Sequence, residues 1–312
     1  MDKREIAKHR GTEVNVDTER SSALRGDPIG QSTDSQALVP YEFWEEKVDD
    51  LAAEYRSNSP FPNIQLAAFL REETARQAMA EFPMPGDTTW IHYKHFNENT
   101  MGKGKRAEFP PLLGALVDEL NSARFVRLVS KLTGIPNLVA DPLLEGGGMH
   151  QTNSGGFLNV HADFNMHHYH PNWRRRCNLI LYLNENWKPE FGGALELWDA
   201  QMKSCVRKIE PLLNHAVIFQ TDEISFHGYP DPITCPPNET RKSLALYYYT
   251  VEESARHVAR STTYHARPGD GLRSIPIWLD TKAIHLYSLV KKRLGLSDDF
   301  ASKVLVFFSK KK

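Results

Sequence analysis

The chain has 312 residues, 40% hydrophobic and 25% charged, which is enough apolar material for one sizeable core without repeats or cross-links. A formal net charge of −1 and a pI near 6.9 exclude an overall basic field that would draw the protein onto nucleic acid, so no nucleic-acid partner is expected. The absence of any run of about 18 apolar residues excludes a membrane-spanning helix, and the three cysteines, Cys177, Cys205 and Cys235, fit neither a paired framework nor a CxxC zinc knuckle.

Residues 1–38 are polar, charged and without hydrophobic period, and read as a flexible leader with no secretory signal. Together with the odd cysteine count this places the expected location in the cytoplasm. From Tyr41 the spacing of Phe43, Trp44, Val48, Leu51 and Tyr55 predicts an amphipathic helix to about Arg56. A short strand over 64–69, a helix over 71–82 and a strand around Trp90–Tyr93 follow. Pro110 opens a helix to Leu120, and Ser122 and Gly134 bracket another as its cap and its stop.

From Gly146 the texture changes to short apolar runs bounded by Gly, Pro, Asn and Asp. This pattern predicts strands over 148–152, 157–163, 177–183, 194–198, 205–209, 216–220, 227–229 and 243–250. The fold class expected is mainly β with flanking helices, on a double-stranded β-helix (jelly-roll) core. The chain divides into a leader (1–38), a domain (39–252, with helical support over 39–147 and the jelly-roll core over 148–252), and a connector with C-terminal helices (253–312). The helices fall at about 279–294 and after a Ser297 cap.

His161 and Asp163 end a strand two residues apart and therefore point the same way. An imidazole and a carboxylate converging on one point suit a divalent first-row metal, and one further histidine completes a facial triad with open positions. His227, far along the chain before the last strand, is placed to be that ligand, with His215 as its rival. The His167, His168 and His170 stretch reads as an exposed loop over the site mouth. Alternation in 241–249 puts Arg241, Ser243, Ala245 and Tyr247 on one face, and a guanidinium beside a hydroxyl is a receptor for a carboxylate.

Taken together, His161-Ala162-Asp163, then Arg175 to Trp187, then Gly192 to Trp198, then His227-Gly228 and Arg241-Lys242-Ser243 resemble the prolyl 4-hydroxylase-like branch of the 2-oxoglutarate and iron(II)-dependent oxygenases, in family order across 148–251. The resemblance implies iron on His161, Asp163 and His227, and the distal carboxylate of 2-oxoglutarate on Arg241. Tyr182 matches a tyrosine that assists that carboxylate, or else is a core aromatic, and Asn178 shares its face. Two departures stand out: many relatives carry lysine at the acid-binding position, and the gap before Arg241 is lengthened by the Pro-rich segment 229–239. That segment and 167–173 are candidates for substrate contact.

The implied activity is a dioxygenase that couples decarboxylation of 2-oxoglutarate to hydroxylation of an unactivated C–H. Its partners are O2 and an organic or protein substrate such as a prolyl residue or a small metabolite, and ascorbate is the expected reductant. A zinc-dependent hydrolase on the same triad and a non-catalytic 2-oxoglutarate or metal sensor are the alternatives. The basic, partly apolar segment 282–312 reads as a core-covering helix with a solvated tail, or as a contact with a membrane surface or a partner.

Overall fold

In this computed structural model the described residues are 37–87, 89–253 and 259–294. The first half runs α1 (Tyr41–Ser57), β1 (Asn63–Leu66), α2 (Glu72–Ala80), β2 (Ile91–His95), β3 (Glu98–Lys103), α3 (Pro111–Leu120), α4 (Ala123–Thr133) and β4 (Leu138–Ala140). The second runs β5 (Gly148–Thr152), β6 (Phe157–Ala162), β7 (Trp173–Tyr182), β8 (Leu195–Trp198), β9 (Cys205–Ile209), β10 (His215–Gln220), β11 (His227–Tyr229), β12 (Arg241–Val251), β13 (Thr263–Tyr264) and α5 (Ser274–Leu294).

Each helix forms where its apolar residues share a face. In α1, Tyr41, Trp44, Val48, Ala52 and Tyr55 recur every three or four residues and all are buried. The Ser122 side chain accepts from the Phe125 backbone N–H at the start of α4, and Gly134 ends that helix with φ +71°, a conformation that costs glycine little. A cap of this kind contributes about 1 kcal/mol.

The strands join in the order β1-β10-β7-β12-β5-β3-β6-β11-β8-β9, with β2 and β4 on β3 and β12, and β13 on β6. Arg207 of β9 donates to Asn63 Oδ1 of β1 at 2.6 Å, so the two ends of that path lie within one side chain's reach. The result is a nearly closed antiparallel barrel of the double-stranded β-helix type.

Its strands divide their residues between two cores. Cys177, Leu179 and Leu181 of β7, Ala216 and Ile218 of β10, and Leu244, Leu246 and Tyr248 of β12 point outward against α1, α3 and α4. The alternate residues Tyr182, Val217 and Phe219 point inward with Leu195, Leu197 and Ile209. The helices therefore seal one face of the sheet, and the interior holds a second, smaller apolar cluster beside its polar groups.

Three boundaries differ from expectation. The segment 39–147 is not purely helical support, because β1, β2, β3 and β4 all belong to the sheet. The sheet also extends past residue 252, since β13 pairs Thr263 with Ala162 and Tyr264 with His161. The last helix starts at Ser274 rather than near residue 279. The leader up to residue 36 and the helix expected after Ser297 lie outside the described residues.

α5 is held to the β2–β3 turn by Asp280. Its Oδ2 accepts from His95 Nδ1 and Asn97 Nδ2, both at 2.7 Å, and from the Asn97 backbone N–H at 3.2 Å. Burial works against a charge on His95, yet its bonds to Asp280 and Glu98 overcome this and raise its pKa to about 9. Both acids are held below their ordinary values against their own burial, so they are ionised where His95 titrates. A raised folded-state pKa adds stability that is complete below about 6.5, the unfolded value, and is lost as pH rises through about 9. The melting-temperature gap between the native chain and His95→Gln should be widest near pH 6.5 and narrow above pH 9. A gap independent of pH across that span would show that imidazolium charge is not what holds the turn to α5.

Candidate active site

β6 and β11 are antiparallel neighbours, and their register sets His161 directly opposite His227. The two rings lie 4.4 Å apart, centroid to centroid, and Asp163, just past the end of β6, completes the group. His161 Nε2 is 3.6 Å from Asp163 Oδ1 and His227 Nε2 is 3.5 Å from Asp163 Oδ2. Ligand atoms from these three residues all fall within 4.8 Å of one another, the one such cluster among the described residues. His215, the rival ligand, sits at the start of β10 with its Nδ1 2.8 Å from Gln65 Nε2, and takes no part.

Both ring orientations are fixed from behind. His161 Nδ1 lies 2.9 Å from the Asn159 carbonyl and His227 Nδ1 2.9 Å from the Ser225 carbonyl. With Nδ1–H donating to a backbone oxygen, each imidazole turns its Nε2 lone pair toward the carboxylate. Burial lowers the His227 pKa to about 4, only partly opposed by Asp163, so this ring is neutral at neutral pH. Burial alone would raise Asp163, but the Arg175 guanidinium, with His227 and His161, holds its carboxyl far below the usual carboxylate range.

Arg175 is the functional residue that strand alternation misses. Its Nη2 is 3.0 Å from Asp163 Oδ2, its Nε donates to Asn178 Oδ1 at 2.8 Å, and its guanidinium lies 3.3 Å from the Tyr247 ring centroid. On strict period two, Arg176 would share the inward face of Asn178. Instead Tyr248 pairs with Cys177 and Tyr249 with Arg175, so Arg176 is the extra residue of a bulge that turns Arg175 inward. A run of three arginines entering a strand was the available signal, but nothing in it says which one faces inward.

Asn178, expected beside Tyr182 in the diacid pocket, instead donates its Nδ2 to Asp163 Oδ2 at 2.8 Å. His167 is also not exposed: it is 1% accessible, with Nε2 3.2 Å from Asp141 and Nδ1 3.2 Å from Glu145, so this part of the loop is anchored into the fold.

At the other end of the interior, Arg241 is buried with its Nε donating to the Gly193 carbonyl at 2.7 Å and its Nη2 to the Tyr182 hydroxyl at 3.3 Å. The guanidinium carbon lies 4.1 Å from the Tyr229 ring centroid, and Tyr229 in turn shares a hydrogen bond with Thr152. Among the described residues no carboxylate lies within ion-pair distance of Arg241. A buried guanidinium held by a carbonyl, a phenol and an aromatic face has the chemistry to accept a carboxylate as partner. Ser243 is buried on the same face, directly opposite Tyr182. The Pro-rich segment before Arg241 packs Ile233 and Cys235 against Trp187 and Tyr229, which places it beside this pocket.

Residues 147–249 match the model of the 2OG-Fe(II) oxygenase superfamily. This part of the chain is a 2-oxoglutarate and iron(II) oxygenase domain. Curated proteins that match part of it are prolyl hydroxylases. The prolyl 3-hydroxylase OGFOD1 of Mus musculus is 32% identical over 79 residues, which are 24% of this chain and 14% of that protein. The prolyl hydroxylase EGLN3 of Mus musculus is 32% identical over 87 residues, 27% of this chain and 34% of that one. The chain thus spans between 14% and 34% of the length of these curated relatives. Among solved structures, a Pseudomonas putida prolyl-4-hydroxylase gives a TM-score of 0.47 at 18% identity, covering 65% of this chain and 98% of that one. A Trichoplax adhaerens prolyl hydroxylase, solved with a hypoxia inducible factor oxygen degradation domain peptide fragment, gives 0.48 at 18% identity, covering 67% and 91%.

Gly193 makes the Arg241 pocket testable. Its φ is +75°, and a Cβ there would lie 3.0 Å from Arg241 Cδ and 3.2 Å from Ile233. Gly193→Ala should destabilise the protein by about 1–3 kcal/mol in denaturant unfolding and should weaken binding of 2-oxoglutarate in calorimetry. Unchanged affinity would show that the turn at Gly193 does not set the position of the guanidinium.

Proposed function

We propose that this protein is a 2-oxoglutarate- and iron(II)-dependent dioxygenase that hydroxylates a prolyl residue of a protein substrate. The observation that carries this reading is the facial triad with a buried, acid-free arginine behind it in the same barrel. The donor set fits iron(II): two imidazole nitrogens and one carboxylate oxygen suit that ion and would leave coordination positions for an oxo-acid and O2. His161, Asp163 and His227 would hold the ion. When bound, iron(II) with 2-oxoglutarate would supply the oxidising power that splits O2 between the substrate C–H and succinate, with loss of CO2.

The remaining work belongs to the chain. Arg241 and Tyr182 would hold the distal carboxylate of 2-oxoglutarate. Asn178 and Arg175 hold the Asp163 carboxylate in place and keep it ionised. His227, with its pKa of about 4, keeps its lone pair available at neutral pH. Phe219 packs against the His227 ring at 4.7 Å and excludes water from that side. The prolyl substrate is supported by the names of the curated relatives that match. We further propose ascorbate as the reductant that maintains iron(II), and the cytoplasm as the location, where the free thiols of Cys177, Cys205 and Cys235 persist. Among the described residues no helix is long and apolar enough to cross a membrane.

Incubation with iron(II), 2-oxoglutarate and ascorbate should release succinate slowly without substrate, and a panel of proline-containing peptides should yield a product heavier by one oxygen atom in mass spectrometry. His161→Ala and Asp163→Ala should abolish succinate release. Arg241→Ala should raise the KM for 2-oxoglutarate by about 10-fold or more, as expected for loss of a charge-assisted pair of roughly 1.5–3 kcal/mol. Turnover that needs neither 2-oxoglutarate nor O2 would point instead to a metallohydrolase, and binding of 2-oxoglutarate without any succinate would point to a sensor.

A further inference from the structure

The segment beyond the matched residues 147–249 reaches His161 by two routes, one through buried asparagines and one through half-buried side chains, that both start at Asp280 of α5. In the first, Asp280 Oδ2 accepts from Asn97 Nδ2 at 2.7 Å and from the Asn97 backbone N–H at 3.2 Å. Asn97, fully buried, accepts from Asn159 twice, at its side-chain oxygen (2.9 Å) and at its carbonyl (2.9 Å). The Asn159 carbonyl is the oxygen that faces His161 Nδ1. In the second route, Asp280 Oδ2 accepts from His95 Nδ1, His95 Nε2 lies 3.5 Å from Glu98 Oε2, and the Tyr264 hydroxyl donates to that same Glu98 oxygen at 3.3 Å. The Tyr264 ring then lies 5.6 Å from the His161 ring, on the strand that pairs residue 264 with residue 161.

Asn97 and Asn159 are buried and bonded on both sides, Asn97 also donating to the Ile277 carbonyl of α5 at 3.1 Å, so neither can rotate without leaving a buried polar atom unpaired, which costs about 1–3 kcal/mol. An imidazole ligand points where its second nitrogen and its ring face are held. Here both supports lead back to the same carboxylate. We infer that Asp280 is a positioning residue of the metal centre: through Asn97 and Asn159 on one side, and His95, Glu98 and Tyr264 on the other, α5 orients the His161 imidazole. The C-terminal segment is therefore a working part of the oxygenase. This rests on the reading of His161 as a metal ligand.

The test is an anaerobic titration of the full chain with Co(II), following its visible d–d absorption, alongside the melting temperature of the metal-free protein. Asp280→Ala should weaken Co(II) binding by about 10-fold or more and shift the d–d bands. Asp280→Asn, which keeps the shape and one acceptor, should give a smaller loss in the same direction and carries the test if the alanine variant does not fold. Trp278→Ala, on the exposed side of the same helix, should change neither affinity nor spectrum. Co(II) binding by the folded Asp280 variants within about twofold of the native chain, with unshifted bands, overturns the inference even if their melting temperatures fall. The two levels separate cleanly: if the native chain does not bind Co(II), or His161→Ala binds it as well, the metal centre itself is refuted and the inference with it. If binding is lost in His161→Ala but unchanged in the Asp280 variants, only the role of α5 is refuted.

Discussion

The site depends on one cross-strand pair. His161 and His227 are 66 positions apart in the chain, and they become neighbours because β6 and β11 run antiparallel with those residues in register. Residues directly opposite in such a pair have their Cβ atoms about 5 Å apart, a separation from which two imidazoles can share one ion. Asp163 then needs only to continue past the strand end. Any change that slides β6 against β11 dissolves the centre even if every ligand is retained.

Around that pair the charges are arranged so that a carboxylate inside the barrel is tolerable. A buried carboxylate without compensation costs several kcal/mol, and Asp163 receives that compensation from Arg175 and Asn178 on its far side. The two imidazoles are tied by Nδ1 to backbone carbonyls and turn Nε2 toward the carboxylate. The same principle appears inverted at Arg241, where a cation is buried among a carbonyl, a phenol and aromatic rings. One end of the interior thus gathers two imidazoles and a carboxylate and the other a guanidinium, the polarity that a metal-bound diacid would require.

Much of this was legible from residue order. The eight strands from Gly148 to Val251 show as short apolar runs between breakers, and the alternation in 241–249 correctly separates Arg241 and Ser243 from Leu244 and Leu246. What could not be read has specific causes. β3, Glu-Asn-Thr-Met-Gly-Lys, has a single apolar side chain of any size, and it is a strand because β2, β5 and β6 supply its partners. β13 is two residues long and exists only through its pairing with β6. The inward turn of Arg175 follows from a bulge, which leaves no trace in a period-two pattern. Asn178 has the right face, but its height in the barrel is set by the neighbouring strand. His167 is buried by Asp141 and Glu145, acids from more than 20 residues earlier.

The two-sided use of β7 and β12 carries a consequence for proofreading of the fold. A slip of one residue in β7 would swing Leu179 and Leu181 into the barrel interior and push Asn178 and Tyr182 against the helices. Such a molecule would be inactive, and it would also display greasy surface where a sealed layer belongs. Chaperones and proteases that survey exposed apolar surface would thus remove the same molecules that lack a working centre, without any device that inspects the chemistry itself.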